Sequence, residues 1–210
     1  MAPEVGIFLN VQHPPAVSTR QMVDDAVRQT ALARDLGFDI VLAGQHFLTQ
    51  PYHMLQPIPL LARIAAEAGE MRIGTGVLLL TLLNPVEVAE HVATLDAITG
   101  GRVVCGVGYG YRQEENDAFG LPERRIRIFE QKVEVLRALL AGEEVDAEGH
   151  GFRLPKRRLA LLPVDGRRVP IWLAGNNDNG VERAARLGDG WLVNPHTALG
   201  ELERQVGLYR

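Results

Sequence analysis

The side chains best suited to chemistry in this chain stand in four short, glycine-rich groups, each within or directly after an apolar run. The first is Gly44-Gln45-His46-Phe47. A histidine exchanges its proton near neutral pH, so His46 is equipped for acid–base work or for a hydrogen bond to a redox ring. The second group is Gly74-Thr75-Gly76, and the third is Gly106-Val107-Gly108-Tyr109-Gly110-Tyr111-Arg112. Glycine there has two readings that the missing side chain serves equally: a tight turn at a strand end, or close approach of a ligand to the backbone. The third group is not a dinucleotide fingerprint, because its last glycine comes one position early and a polar loop follows it. The fourth group, Gly175-Asn176-Asn177-Asp178-Asn179-Gly180, opens a helix, whose free N–H groups and positive end could hold a phosphate without a lysine. The same residues also describe an ordinary turn between strand and helix.

Other reactive types read as bland. Cys105 sits inside an apolar run with no base beside it and reads as a small buried residue rather than a nucleophile. His46 and His53 lack metal-ligand spacing and a cysteine pair, so no metal is expected. The run Arg124-Arg125 with Arg127 reads as a solvated helix face that could also reach an anionic cofactor tail.

The elements that must position these groups alternate. Val5 to Leu9 is a first strand; Ser18 caps a helix carrying Met22, Val23, Ala26, Val27 and Thr30, which Gly37 stops. Phe38 to Ala43 follows as a strand apolar on both faces, the mark of parallel packing. Pro57 and Pro59 open a second helix, and Arg72 to Leu80 is the third strand. Asn84-Pro85 starts a helix buried through Val88, Val92, Leu95 and Ile98, before a fourth strand from Arg102 to Gly108. Pro122 starts a fourth helix that buries Phe129, Val133, Leu136 and Leu140 and leaves a charged face to solvent. Residues 143–169 break the rhythm as an insertion with a hairpin around Phe152 to Leu161. Strand five (Pro170 to Ala174), a helix from Asn177 to Leu187, strand six (Trp191 to Val193) and a helix from near Thr197 complete six units. Six strand–helix units fit either an open doubly wound sheet or a barrel, and periodicity does not choose between them. In both, ligands bind at the carboxyl ends of the strands, which is where three of the four groups lie, the second falling within the third strand.

Composition narrows the class. The 210 residues, 46% of them hydrophobic, suffice for one domain with a sizeable core, read as 1–210. A formal charge of −4 offers no basic field for nucleic acid. No apolar run approaches the length of a membrane helix and no signal peptide is visible, and with a single cysteine the expected setting is the cytoplasm.

Taken together, Ile73-Gly74-Thr75-Gly76-Val77, Asn84-Pro85-Val86-Glu87-Val88-Ala89-Glu90, Thr94-Leu95-Asp96, Gly100-Gly101-Arg102 and Gly106-Val107-Gly108-Tyr109-Gly110-Tyr111 resemble the central signature of the luciferase-like monooxygenase family. Pro170-Ile171-Trp172-Leu173-Ala174-Gly175 and Ala184-Ala185-Arg186-Leu187-Gly188-Asp189-Gly190-Trp191 are similar to its fifth strand, fifth helix and sixth strand. The resemblance implies a (β/α)8 TIM barrel of which about six of eight units are present, cut short at the C-terminus. It implies an oxidoreductase using reduced FMN or the deazaflavin coenzyme F420 on a small organic substrate, with a flavin reductase as partner where FMN is used. It places His46 near the cofactor ring as the catalytic contact. Thr75, Gly76 and Val77 would back the ring through a non-proline cis peptide at Gly76-Val77; Gly175 and Asn176 would receive the phosphate, with Tyr109 and Gly110 in the loop beside it and Asn177 a further cofactor-binding residue. Gln45 stands where some members have a first histidine tied to oxygen chemistry, which favours simple hydride transfer over oxygen insertion. An unclosed barrel exposes strand edges, so a homo-oligomer is expected. Two other readings stay open: a barrel isomerase or lyase acting on a sugar phosphate, and a non-catalytic flavin-binding remnant.

Overall fold

The computed structural model describes residues 3–123 and 125–210. Six parallel strands form one curled sheet in the order β1 (Gly6–Leu9), β3 (Ile40–Ala43), β5 (Arg72–Thr75), β7 (Val103–Gly108), β10 (Ile171–Ala174), β11 (Gly190–Leu192). Neighbours in space are neighbours in sequence order, as a barrel wall requires. Two-residue β6 (Leu78–Leu79) continues the line of β5 and pairs with Val107 and Gly108 of β7. A short β2 (Gln12–His13) pairs antiparallel with β4 (His53–Met54) at the rim.

Helices α1 (Thr19–Asp35), α2 (Pro57–Ile64), α3 (Pro85–Thr99), α5 (Ile126–Leu140) and α6 (Asp178–Leu187) link successive strands. The punctuation acts as its chemistry dictates. The Ser18 hydroxyl accepts from the Gln21 N–H, the Asn84 side chain accepts from the Val86 N–H with Pro85 at the first helical position, and Gly100 ends α3 at φ 66°.

Between sheet and helices lies the core: Leu9, Val41, Ala43, Ile73, Val103, Cys105, Val107, Ile171 and Leu173 from the strands meet Leu61, Ile64, Val92, Phe129 and Leu136 from the helices. The other sheet face carries Phe8, more than half exposed, half-buried Leu42 and Trp172, and several glycines. One covered face and one open face exclude a doubly wound sheet, which has helices on both sides. They describe the wall of a barrel left open between β1 and β11.

Gly106 shows how tightly the wall is drawn. A methyl group there would fall on the carbonyl oxygen of Thr75 in the adjoining strand, and that backbone has no room to retreat. Gly106→Ala is expected to destabilise the protein by about 3 kcal/mol, at the upper end of ordinary overpacking costs, read as a lowered urea midpoint.

Four features differ from the expected elements. The third strand breaks after Thr75, where the Gly76-Val77 peptide is cis, at the position the family resemblance implied. The fourth helix begins at Ile126 rather than Pro122, and a separate helix α4 (Gln113–Ala118) precedes it. Arg124 lies outside the described residues. The hairpin is β8 (Val145–Gly149) with β9 (Phe152–Arg157), earlier than expected because Gly149 pairs with Phe152 across His150-Gly151, with Gly151 at φ 75°. Ile98 faces solvent, and α3 buries Ala89, Ala93 and Thr99 instead. The chain's final helix, α7 (Leu199–Tyr209), packs on α6. No described helix is long and apolar enough to cross a membrane.

Candidate active site

The carboxyl ends of β3, β5, β7 and β10 line one edge of the wall, and the four sequence groups meet there. Their floor is backbone. A Cβ on Gly44 would come within 3.3 Å of the Gly76 carbonyl oxygen; one on Gly76 would come within 2.9 Å of Phe8; one on Gly108 would come within 2.8 Å of Val77 and 3.6 Å of Ala174. A run of glycines from β3 to β7 keeps this surface free of side chains of its own, and the Phe8 ring packs directly on Gly44 and Gly76. A flat ring system could lie against this surface.

His46 stands at one side of this floor, three-quarters buried, with its ring held at both nitrogens. Nδ1 lies 3.1 Å from Glu115 Oε1, and Nε2 lies 3.5 Å from the hydroxyl of the exposed Tyr111, whose ring meets the imidazole edge-on at 5.5 Å. The loop beneath is pinned as well. Phe47 N–H donates to Glu115 Oε1 at 2.6 Å, the Phe47 carbonyl accepts from Arg112 at 3.2 Å, and the His46 carbonyl accepts from Gln56 Nε2 at 3.0 Å. Gln45 completes the brace: its Nε2 donates to Gln56 Oε1, and its Oε1 accepts the Leu79 N–H just beyond the cis peptide. A buried amide with both ends engaged is a strut between the loops after β3 and β5.

Thr75 turns away from the floor, its buried hydroxyl donating to the Gly106 carbonyl at 2.7 Å, so it offers a ligand only backbone. Val77 is half-buried beside Gly108. Tyr109 is exposed above the end of β7, and Gly110 takes φ 78° to turn the chain toward α4. Cys105 is wholly buried, and burial pushes its thiol up to about 12, so it stays protonated and inert.

Across the floor, Gly175 packs against the start of α6; a Cβ there would meet the Gly180 backbone at 2.5 Å. The Gly175 carbonyl accepts from the Trp191 indole at 2.8 Å, and the Asn177 side chain caps α6 by accepting the Gly180 N–H. Among the described residues, the backbone N–H groups of Asn176, Asn177, Asp178 and Asn179 donate to nothing. They form a cluster of free donors at a helix start, although the Asp178 carboxylate, ion-paired with Arg204, shares that end. Arg125, the described member of the arginine run, donates to Gln113 rather than reaching toward the floor. His53 sits in β4 opposite His13, away from His46, and among the described residues no acidic, histidine and cysteine cluster could hold a metal.

Sequence reading missed Glu115 and Gln56 as members of this site, and it gave Arg112, the last residue of the third glycine group, no role of its own. Glu115 carried one faint signal: it follows that group closely, in the short helix α4 that the turn must aim somewhere.

The luciferase-like monooxygenase family model matches residues 3–210. The chain is 32% identical over 178 residues to the F420-dependent glucose-6-phosphate dehydrogenase of Beutenbergia cavernae, covering 80% of this chain and 52% of that protein. Among solved structures, the monooxygenase RslO1 of Streptomyces bottropensis superposes with a TM-score of 0.83 at 29% identity, over 99% of this chain and 65% of that one. The FMN complex of the oxygenating constituent of 3,6-diketocamphane monooxygenase, from a Pseudomonas putida plasmid, superposes with a TM-score of 0.87 over 100% of this chain and 62% of that one; at 20% identity it speaks for the fold alone. The chain spans about half the length of the curated relatives it matches. The open wall is therefore part of a (β/α)8 TIM barrel, and the chain belongs to the luciferase-like monooxygenase family.

Proposed function

We propose that this protein is a flavin- or deazaflavin-dependent oxidoreductase that takes reduced FMN or coenzyme F420 together with a small organic substrate. The observation that carries the reading is the glycine floor from Gly44 to Gly108, flanked by His46 on one side and by the free N–H groups of residues 176–179 on the other. Gly76, Val77 and the backbone of Thr75 would back the ring; Gly175, Asn176 and Asn177 would receive the phosphate, with Tyr109 and Gly110 in the loop beside it. Relatives named as F420-dependent dehydrogenases and a fold neighbour holding FMN support both cofactors.

When bound, such a ring supplies a place for a hydride to arrive or leave. The chain's own part is to hold that ring, exclude water from one face with Phe8 and the peptide floor, and move a proton at His46 Nε2 as the substrate changes oxidation state. Gln45 lends no base to oxygen chemistry, because a carboxamide takes up no proton near neutral pH; here its amide serves as a brace, engaged at both ends. Hydride transfer is therefore the reaction this site serves best. Where FMN is the cofactor, a flavin reductase would supply it in reduced form.

Titration of the purified protein with FMN and with F420 separately, followed by ring fluorescence, tests the reading. Saturable binding of one of them, displaced by inorganic phosphate at high concentration, is expected. A folded sample that binds neither sinks the proposal and moves the sugar-phosphate and remnant readings ahead.

A further inference from the structure

We infer that Glu115 is a positioning residue that locks His46 in one tautomer, with the proton on Nδ1 and a bare lone pair on Nε2. An imidazole has no fixed polarity of its own; the hydrogen bond made by one nitrogen decides what the other offers. Glu115 Oε1 already accepts the Phe47 N–H, a donor whose direction cannot reverse, and Arg112 Nη1 stands 3.9 Å away as a second positive group. Oxygen placed among donors presents a lone pair to its remaining neighbour, so at 3.1 Å His46 Nδ1 is the donor. Nε2 is then the acceptor. Its one described neighbour, the Tyr111 hydroxyl at 3.5 Å, can rotate its proton toward it.

The cost of the arrangement argues that it is kept for a purpose. Glu115 is buried to 1% exposure, and its second oxygen, Oε2, has no partner among the described residues. A carboxylate is costly to bury unless its acceptors are used. What the carboxylate does accomplish is to grip the Phe47 N–H and His46 Nδ1 with the same atom. The catalytic consequence rests on the oxidoreductase reading above, because it takes His46 as the residue that meets the reacting atoms; the tautomer itself does not depend on that reading.

The test is a long-range 1H–15N correlation spectrum of the imidazole groups at a pH where the rings are neutral, on the full chain without cofactor. The His46 signals are assigned by their loss in His46→Ala. The wild type is expected to show a protonated Nδ1 and a bare Nε2. Glu115→Gln, whose carbonyl oxygen can still accept from both Phe47 N–H and Nδ1, should keep that pattern; Glu115→Leu should bring the two nitrogens toward a common averaged shift. A wild-type ring protonated on Nε2, or averaged, overturns the inference. So does an unchanged pattern in the folded Leu variant. If circular dichroism shows that the Leu variant does not fold, the wild-type and Gln spectra decide: averaging in Gln overturns the lock, and retention supports it. Cofactor titration fails or succeeds independently of these spectra, so a failed lock and a failed oxidoreductase reading are told apart.

Discussion

His46→Ala is expected to slow cofactor-linked turnover by about 10²–10⁴-fold, the usual contribution of a placed acid–base group. It should leave the dissociation constant of FMN or F420 within about tenfold, a change of less than about 1.4 kcal/mol. The split follows from how the site is built. The loop after β3 does not depend on the imidazole for its shape: the Phe47 N–H is held by Glu115, the Phe47 carbonyl by Arg112, and the His46 carbonyl by Gln56. Truncation at Cβ therefore removes Nε2 while the backbone stays braced. The floor of Gly44, Gly76 and Gly108 and the free N–H groups at the start of α6 belong to other residues and remain. Stopped-flow rates of cofactor reduction by a turned-over substrate, beside a fluorescence titration of the same variant, read both quantities. A rate within threefold of wild type would show that the reacting proton passes elsewhere. A lost affinity with an unchanged rate would make His46 a binding residue only.

The parts of this architecture that were legible in the sequence are those where a local rule and the tertiary outcome agree. β3 and β7 read as strands because Ile40 to Ala43 and Val103 to Gly108 are apolar without alternation, and the inner face of the wall at those positions is either small or covered. The caps at Ser18 and Asn84 were equally plain. The glycine groups pointed to the right edge of the sheet because ligand sites follow strand ends in either fold considered, so the site survived an undecided topology. What did not show is what depends on distant partners. Helix α4 is Gln113–Ala118, six polar or small residues with no apolar period, and Glu115 reads there as one of two adjacent solvated acids. Only its contact with His46, far away in sequence, makes it a buried carboxylate. Gln45 likewise read as the loss of a histidine, whereas the structure shows a brace between two loops. In α5 the signal was present and easily passed over: Lys132 falls at the i+3 position of a stripe formed by Phe129, Val133 and Leu136, inside the helix's buried face.

That lysine sets the second large expectation: between pH 8 and pH 10.5 the wild type should gain about 3 kcal/mol of stability relative to Lys132→Met. Its ammonium is buried and donates to the Thr81 and Leu83 carbonyls, each at 2.8 Å, with no carboxylate partner among the described residues. Burial without a counter-ion disfavours the charged form and lowers the group from 10.5 to about 8. The sign follows from proton counts. Below pH 8 folded and unfolded chains both hold the proton and the difference is flat; between 8 and 10.5 the unfolded chain holds it while the folded chain has released it. The state that binds fewer protons gains as pH rises, so unfolding becomes harder across that window and the difference is flat again above it. Cys105 works the other way, since its thiol is held up to about 12 when folded and ionises earlier when unfolded, but it is common to both proteins and cancels. Urea unfolding of the pair from pH 7 to 10.5 gives the curve directly. A flat difference would mean that Lys132 keeps its full charge in the fold and that the loop it fastens, residues 81–83 beyond the site's floor, is open to water. A rise confirms a dry attachment there, and with it a rigid seat for the Leu79 N–H that Gln45 grips and for the loop that carries His46.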